Sequence, residues 1–171
     1  MAKKFRAGRI ANLIFYILLA FLLWQRVPSW WSQFNLQGKA APAFGLLRDD
    51  GVRSPQPWLK DRPVALFFWA TWCGPCQLEL SRVRDAAAKG ELPADRIVLI
   101  SLGEDPALVA RTTRERGYPF ASFVDESGDA AAFFKVAATP MVVLLRANQE
   151  VEWIGTGVSP TLIWRLRSHL N

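Results

Sequence analysis

Six apolar residues, Val64-Ala65-Leu66-Phe67-Phe68-Trp69, run without a break, and the chain's two cysteines follow almost at once, in Trp72-Cys73-Gly74-Pro75-Cys76. A run this short and rich in β-formers, with no polar alternation, predicts a strand buried on both faces. Beyond it, Cys76, Leu80, Val83 and Ala87 recur at i, i+4, i+7 and i+11, which is one face of a helix, and Gly90 ends the pattern. The cysteine pair therefore stands at a strand-to-helix junction, and the chain is committed to an α/β arrangement around it.

The rest of the sequence extends that arrangement. Arg96 to Leu102 reads as a second buried strand. Asp105-Pro106 opens a helix that Gly117 stops. Phe120 to Val124 is a third strand, followed by a turn and a short helix over Asp129 to Val136. Met141 to Leu145 and Val151 to Ile154 form a hairpin around Ala147-Asn148-Gln149. Ser159 and Pro160 open a last helix with the apolar stripe Leu162, Ile163, Leu166 and Leu170. Its Arg165, Arg167 and His169 lie near the C-terminus, where the dipole favours cations. Alternating strands and helices closed by a hairpin predict an α/β sandwich with a mixed sheet.

The formal net charge of +6 belongs wholly to the first 41 residues: Lys3, Lys4, Arg6, Arg9, Arg26 and Lys39, with no acid among them. The neutral remainder lacks the basic stripe of a nucleic-acid binder, so no nucleic-acid partner is expected. Ile10 to Trp24 is apolar except for Asn12. Fifteen residues at the helical rise span ~22 Å against ~30 Å of hydrocarbon, and extending the helix at each end supplies the difference. Four cations precede the run. Arg26 can snorkel, and Trp24, Trp30 and Trp31 suit a bilayer interface. No small residues follow closely enough for signal-peptide cleavage. The expected order is a cytoplasmic basic tail (1–9), a transmembrane anchor in the lipid bilayer (10–27), an interfacial linker (28–41) and a folded domain (42–171) outside the cytoplasm.

Several kinds of chemistry can use a Cys-x-x-Cys pair. As a structural disulfide it closes too small a loop to restrict the unfolded chain much. A structural zinc site needs four ligands, and His169 is the only histidine. Two thiolates can hold Cu(I), so a copper-handling module is the alternative reading. A redox dithiol fits best, because a cysteine at a helix N-terminus is stabilised as the thiolate. Cys76, one turn on, can attack a mixed disulfide at Cys73. Pro75 presets a helical φ in the first turn, and Gly74 leaves the Cys73 sulfur open to approach. An exported location is where disulfides are made and need managing.

The stretch Phe67-Phe68-Trp69-Ala70-Thr71-Trp72-Cys73-Gly74-Pro75-Cys76 followed by a helix resembles the thioredoxin superfamily. With the N-terminal anchor, the run from Ala70 to Leu80 and the opening Ala41-Pro42-Ala43-Phe44-Gly45, it looks like the membrane-anchored TlpA/ResA/CcmG-type branch. The resemblance spans about residues 41–171. It implies a thioredoxin-like fold with a mixed central sheet and an extra strand and helix over 120–136. It also implies a disulfide oxidoreductase without an organic cofactor or a metal.

By the same resemblance Pro140 takes the place of a cis proline packed against the cysteine pair, and Thr139 pairs its backbone with substrate. Glu79 takes the place of a carboxylate that accepts the proton of Cys76, in a partly buried position with a raised pKa. Trp72 is a candidate apolar rim for a partner, and Trp69 is core. The chain departs from its relatives at two positions. Phe67 stands where thioredoxin has a buried Asp, and Met141 stands where some cytochrome-maturation members have a Glu. The implied partners are disulfides or thiols of exported proteins, such as apocytochrome c or copper-site proteins, and a membrane electron donor of the DsbD/CcdA type.

Overall fold

A computed structural model describes residues 12, 15–18, 36–48, 50–54 and 61–170. The chain divides into two compact units, Met1–Asn35 and Leu36–Asn171. In the first, residues 15–18 are helical and their side chains are exposed. Most of the expected anchor, 10–27, lies outside the described residues. Among those described, no helix is long and apolar enough to cross a membrane.

The second unit is built on β3 (Val64–Trp69), buried along its whole length. Alternate side chains of a strand face opposite sides, and both sides here enter apolar clusters. Ala65, Phe67 and Trp69 join one cluster, and Leu66 and Phe68 join the other. The sheet carries seven strands in the order β2-β1-β5-β4-β3-β6-β7. The others are β1 (Leu46–Leu47), β2 (Arg53–Ser54), β4 (Ile97–Leu102), β5 (Ala121–Asp125), β6 (Met141–Leu145) and β7 (Val151–Thr156). Strands β3, β4 and β5 are parallel, while β6, β7, β1 and β2 are antiparallel to their neighbours. This is the mixed sheet of a thioredoxin-like fold.

Four helices cover it: α1 (Gly74–Ala88), α2 (Pro106–Glu115), α3 (Asp129–Phe134) and α4 (Leu162–Leu170). Leu80 and Val83 of α1, Val109 of α2, and Leu162, Leu166 and Leu170 of α4 fill one face. Ala130 and Phe134 of α3 fill the other, with Leu36, Phe44 and Leu46 from the N-terminal stretch. The first turn of α2 is capped as the sequence predicts, Leu108 N–H donating to Asp105 Oδ1 at 2.9 Å with Pro106 in the first turn.

The differences from the sequence reading have local causes. The folded unit takes in Leu36–Ala41, part of the stretch assigned to the linker. Gly38 N–H donates to Val151 O, Val151 N–H to Lys39 O and Ala41 N–H to Gln149 O, so this segment pairs beside the β6–β7 turn. The hairpin β1–β2 was not anticipated, because two-residue strands carry no periodicity. Helix α3 ends at Phe134 rather than Val136, since Lys135 turns into the left-handed region (φ 54°) and closes the helix. On α1 the buried stripe runs through Glu79 and Ala86 rather than Ala87, which is only partly buried.

Phe134 ties the inserted strand and helix to the rest. Its ring meets Phe68 of β3 at 5.5 Å and Phe44 at 5.7 Å between centroids, and it is fully buried. Phe134→Ala is expected to cost about 3–5 kcal/mol in urea unfolding, while Phe134→Leu, which keeps most of the volume, costs much less.

Candidate functional site

The site lies at the carboxyl ends of β3 and β4, where open α/β sheets expose their loops. Cys73 is the N-cap of α1. Its backbone is extended (φ −79°, ψ 101°), and its sulfur accepts the Cys76 backbone N–H at 3.2 Å. Gln77 N–H bonds Cys73 O at 3.1 Å, which starts the helix. Pro75 stands in the first turn, where its missing donor costs nothing. The two sulfurs form a disulfide across a Cα–Cα distance of 5.2 Å. Cys76 is sealed beneath Cys73, which is itself nearly buried. A Cβ added at Gly74 would meet nothing within 4 Å, so the approach past this residue is open. A sulfur at a helix N-terminus with an N–H aimed at it is the general setting of a redox cysteine.

The Thr139-Pro140 bond is cis, as the resemblance implies. Thr139 Oγ1 donates to Cys73 Sγ at 3.5 Å, and Pro140 is buried at the head of β6. Pro140 O accepts the Gly157 N–H at 2.7 Å, tying this turn to the end of β7. Trp72 is 78% exposed beside the pair, and Trp69 is fully buried, edge-on to Tyr118.

Glu79 is fully buried, not partly buried as the sequence reading has it. It lies one turn from Cys76 on the same helix face, which the turn leading into α4 covers. Its Oε2 accepts from Arg82 Nη1 at 2.9 Å, and among the described residues its Oε1 has no hydrogen-bond partner. Burial pushes its pKa above the ordinary carboxylate range. The Arg82 charge, a backbone bond at Ser159 and the Arg82 hydrogen bond pull the other way.

Two further groups belong to the site and were missed. Glu104, just past β4, accepts from Thr71 N–H at 2.9 Å, from Thr71 Oγ1 at 2.5 Å and from the Ser101 hydroxyl. Gln77 Nε2 donates to Thr71 O at 3.0 Å. Together they fix the turn that delivers Trp72 and Cys73. A carboxylate just past the strand neighbouring β3 is the one signal that could have found Glu104. Arg82, the partner of Glu79, was missed too, and its i+3 spacing from Glu79 could have found it. Among the described residues no cluster of three or more His, Cys, Asp or Glu side chains could hold a metal ion.

Comparisons with known proteins bear on the fold and the family. The chain is 30% identical over 138 residues to the thiol-disulfide oxidoreductase ResA of Oceanobacillus iheyensis, covering 78% of this chain and 71% of that protein. It is 27% identical over 121 residues to ResA of Bacillus subtilis, covering 71% of this chain and 68% of the relative. The crystal structure of StoA from Bacillus subtilis shares the fold, with a TM-score of 0.59, 21% identity, and coverage of 78% of this chain and 100% of that one. Residues 37–154 match the AhpC/TSA family. The chain therefore belongs to that family, as a thioredoxin-like thiol–disulfide oxidoreductase whose redox pair is Cys73 and Cys76.

Proposed function

We propose that this oxidoreductase works outside the cytoplasm, held to the membrane by residues 10–27, and reduces disulfides of exported proteins. The observation that carries the reductive mechanism is the stacking of the pair. Cys73 stands at the helix N-terminus beside Thr139, and Cys76 lies sealed below it.

Cys73 thiolate attacks one sulfur of a substrate disulfide and expels the other as a thiolate. The substrate strand lies along the backbone at Thr139-Pro140, in the manner of an added β-strand, with Trp72 as an apolar rim. Cys76 then gives its proton to Glu79, attacks the Cys73 sulfur and releases the second substrate thiolate. Two electrons have passed to the substrate, and the Cys73–Cys76 disulfide remains. A membrane electron donor of the DsbD/CcdA type returns it to the dithiol. Exposed apolar side chains on helical residues 15–18 support the anchor, and the basic residues before them support a cytoplasmic N-terminus. Apocytochrome c and copper-site proteins are the substrate classes proposed. No organic cofactor or metal enters the reaction.

Cys76→Ser tests the reading directly. Without the resolving thiol, the variant is expected to hold its partner as a mixed disulfide at Cys73, identifiable by mass spectrometry. Absence of any trapped partner in oxidised cell envelopes counts against the enzyme's proposed role. The reduction potential is expected in the reducing half of the range from ~−270 mV (thioredoxin) to ~−120 mV (DsbA), and a value near the oxidant end overturns the direction. Protease added to intact spheroplasts is expected to degrade residues 42–171, and a protected domain overturns the exported location.

Glu79 also makes a thermodynamic prediction. The folded protein holds its proton above the ordinary carboxylate range, and the unfolded chain does not. In that window the native state binds more protons, so stability falls as pH rises from the ordinary carboxylate pKa through the raised one. Glu79→Gln is expected to remove this fall, its urea midpoint matching wild type in acid and exceeding it at about pH 8.

A further inference from the structure

The reading of Glu79 as the proton acceptor leaves open what holds its carboxylate in place and sets when it ionises. One side chain does both. Arg82 Nη1 donates to Glu79 Oε2 at 2.9 Å and to Ser159 O at 3.1 Å, and Nη2 reaches Pro160 O at 3.4 Å. The guanidinium thus spans from the buried acid to the turn before α4. That turn hangs from Gly157, whose N–H is bonded to Pro140 O. Thr139, on the other side of Pro140, contacts Cys73 Sγ. The chain of contacts runs from the attacking cysteine, through the substrate-facing turn and the turn before α4, to the acid one helical turn from the resolving cysteine.

Around Glu79 the remaining charged groups are engaged elsewhere. Strands β3 and β6 carry no ionisable side chain. On α1, Arg84 pairs with Asp85 and bonds Arg116 O. On α4, Arg165 stacks on Trp153, Arg167 pairs with Glu91, and His169 faces Glu152 and Leu145 O. The turn 157–161 has no ionisable side chain, and Cys73 and Cys76 are joined. Arg82 is the cation that acts on Glu79, and it is 36% exposed while its partner is sealed.

We infer that Arg82 is a positioning residue for the resolving half-reaction: it clamps the Glu79 carboxylate to the turn at Ser159-Pro160 and so holds the acid in place for proton removal from Cys76. The inference rests on the proton-acceptor reading of Glu79. Its chemical content is narrow. A guanidinium at this distance favours the carboxylate, so Glu79 is ionised over a wider pH range with Arg82 than without it. A partner that displaces the 159–160 turn would loosen the clamp and leave the acid holding its proton.

The test uses the full-length chain, reduced and then reacted with dithiobis-nitrobenzoate. Cys73 attacks first and releases one thionitrobenzoate. Cys76 then loses its proton, forms the bond to Cys73 sulfur and expels the second thionitrobenzoate, seen as a separate optical phase. The rate of that second phase is followed against pH in wild type, Arg82→Gln, Arg82→Lys, Glu79→Gln and the Glu79→Gln/Arg82→Gln double variant. Arg82→Gln is expected to move the rising limb to higher pH by about 0.5–1 unit, with half-exposure of the arginine limiting the effect. Arg82→Lys is expected to reverse most of the shift, because the charge returns without the fork. In the double variant Arg82→Gln adds nothing to Glu79→Gln.

The two readings fail differently. If Glu79→Gln changes the profile and Arg82→Gln does not, the Arg82 inference is wrong and the proton acceptor stands. A shift from Arg82→Gln that persists in the double variant also overturns the inference, since it would not pass through Glu79. If Glu79→Gln leaves the second phase unchanged at every pH, both fall. Should Arg82→Gln fold poorly, Arg82→Met, which keeps the stem and removes the charge, takes its place: the same shift to higher pH supports the inference, and a profile identical to wild type overturns it.

Discussion

Burial of β3 on both faces is the constraint on which the rest of the domain depends. A strand with no solvated side needs a covering layer above and below, and its backbone groups need partners on both edges. Parallel β4 on one edge and antiparallel β6 on the other supply the partners. Helices α1, α2 and α4 cover one face, and α3 with the N-terminal segment covers the other. Once β3 is sealed in this way, its carboxyl end is the first point where the chain can reach solvent. Trp72 reaches it, and the cysteine pair follows directly. The same packing that hides Phe67 and Phe68 therefore brings Cys73 to the edge of the core and leaves Cys76 sealed beneath it.

The parts closest to the chemistry come from distant segments. Glu104 grips Thr71 from 33 residues away, Arg82 grips the 159–160 turn from 77 residues away, and Thr139 meets Cys73 across 66. None of these bonds is a large contributor alone, at about 1 kcal/mol for a neutral hydrogen bond and somewhat more for a charged one. Their value is in fixing relative positions. The turn before the redox pair is held by the Glu104 and Gln77 side chains, and the turn before α4 by Arg82 of α1. The place of the Cys73 sulfur beside Thr139-Pro140 is therefore already set.

Local pattern explains what could be read from the sequence. The unbroken run Val64–Trp69, the Asp105-Pro106 cap and the Leu162, Leu166, Leu170 stripe are each complete within a few residues, and the structure has them at or near those positions. Resemblance supplied Pro140, which composition and spacing could not single out. What escaped notice was non-local or too short to show periodicity. Leu46–Leu47 and Arg53–Ser54 are strands only because they pair with each other and with β5. Glu104 looks like an ordinary loop acid until β3 and β4 are laid side by side. On α1, spacing put the centre of the buried stripe between Leu80 and Ala87. The neighbouring face is covered as well: Glu79 and Ala86 are buried, and Glu79 is tied through Arg82 to the turn before α4.

Glu79 shows where foldability and chemistry part. A carboxylate in a fully buried position, with one oxygen lacking a hydrogen-bond partner among the described residues, costs stability that an apolar side chain of similar size would recover. Arg82 offsets only part of that cost, because it sits at the rim and the pKa of the acid remains raised. Every other level of the sequence, from strand run to cap to helix stripe, agrees with the fold. Glu79 breaks this agreement one turn from Cys76, and the proposed reaction supplies a reason for a buried acid there. The incomplete compensation suits that role. A fully compensated acid would be a fixed charge, whereas one set between burial and a partly exposed cation suits the proton-acceptor role proposed for it.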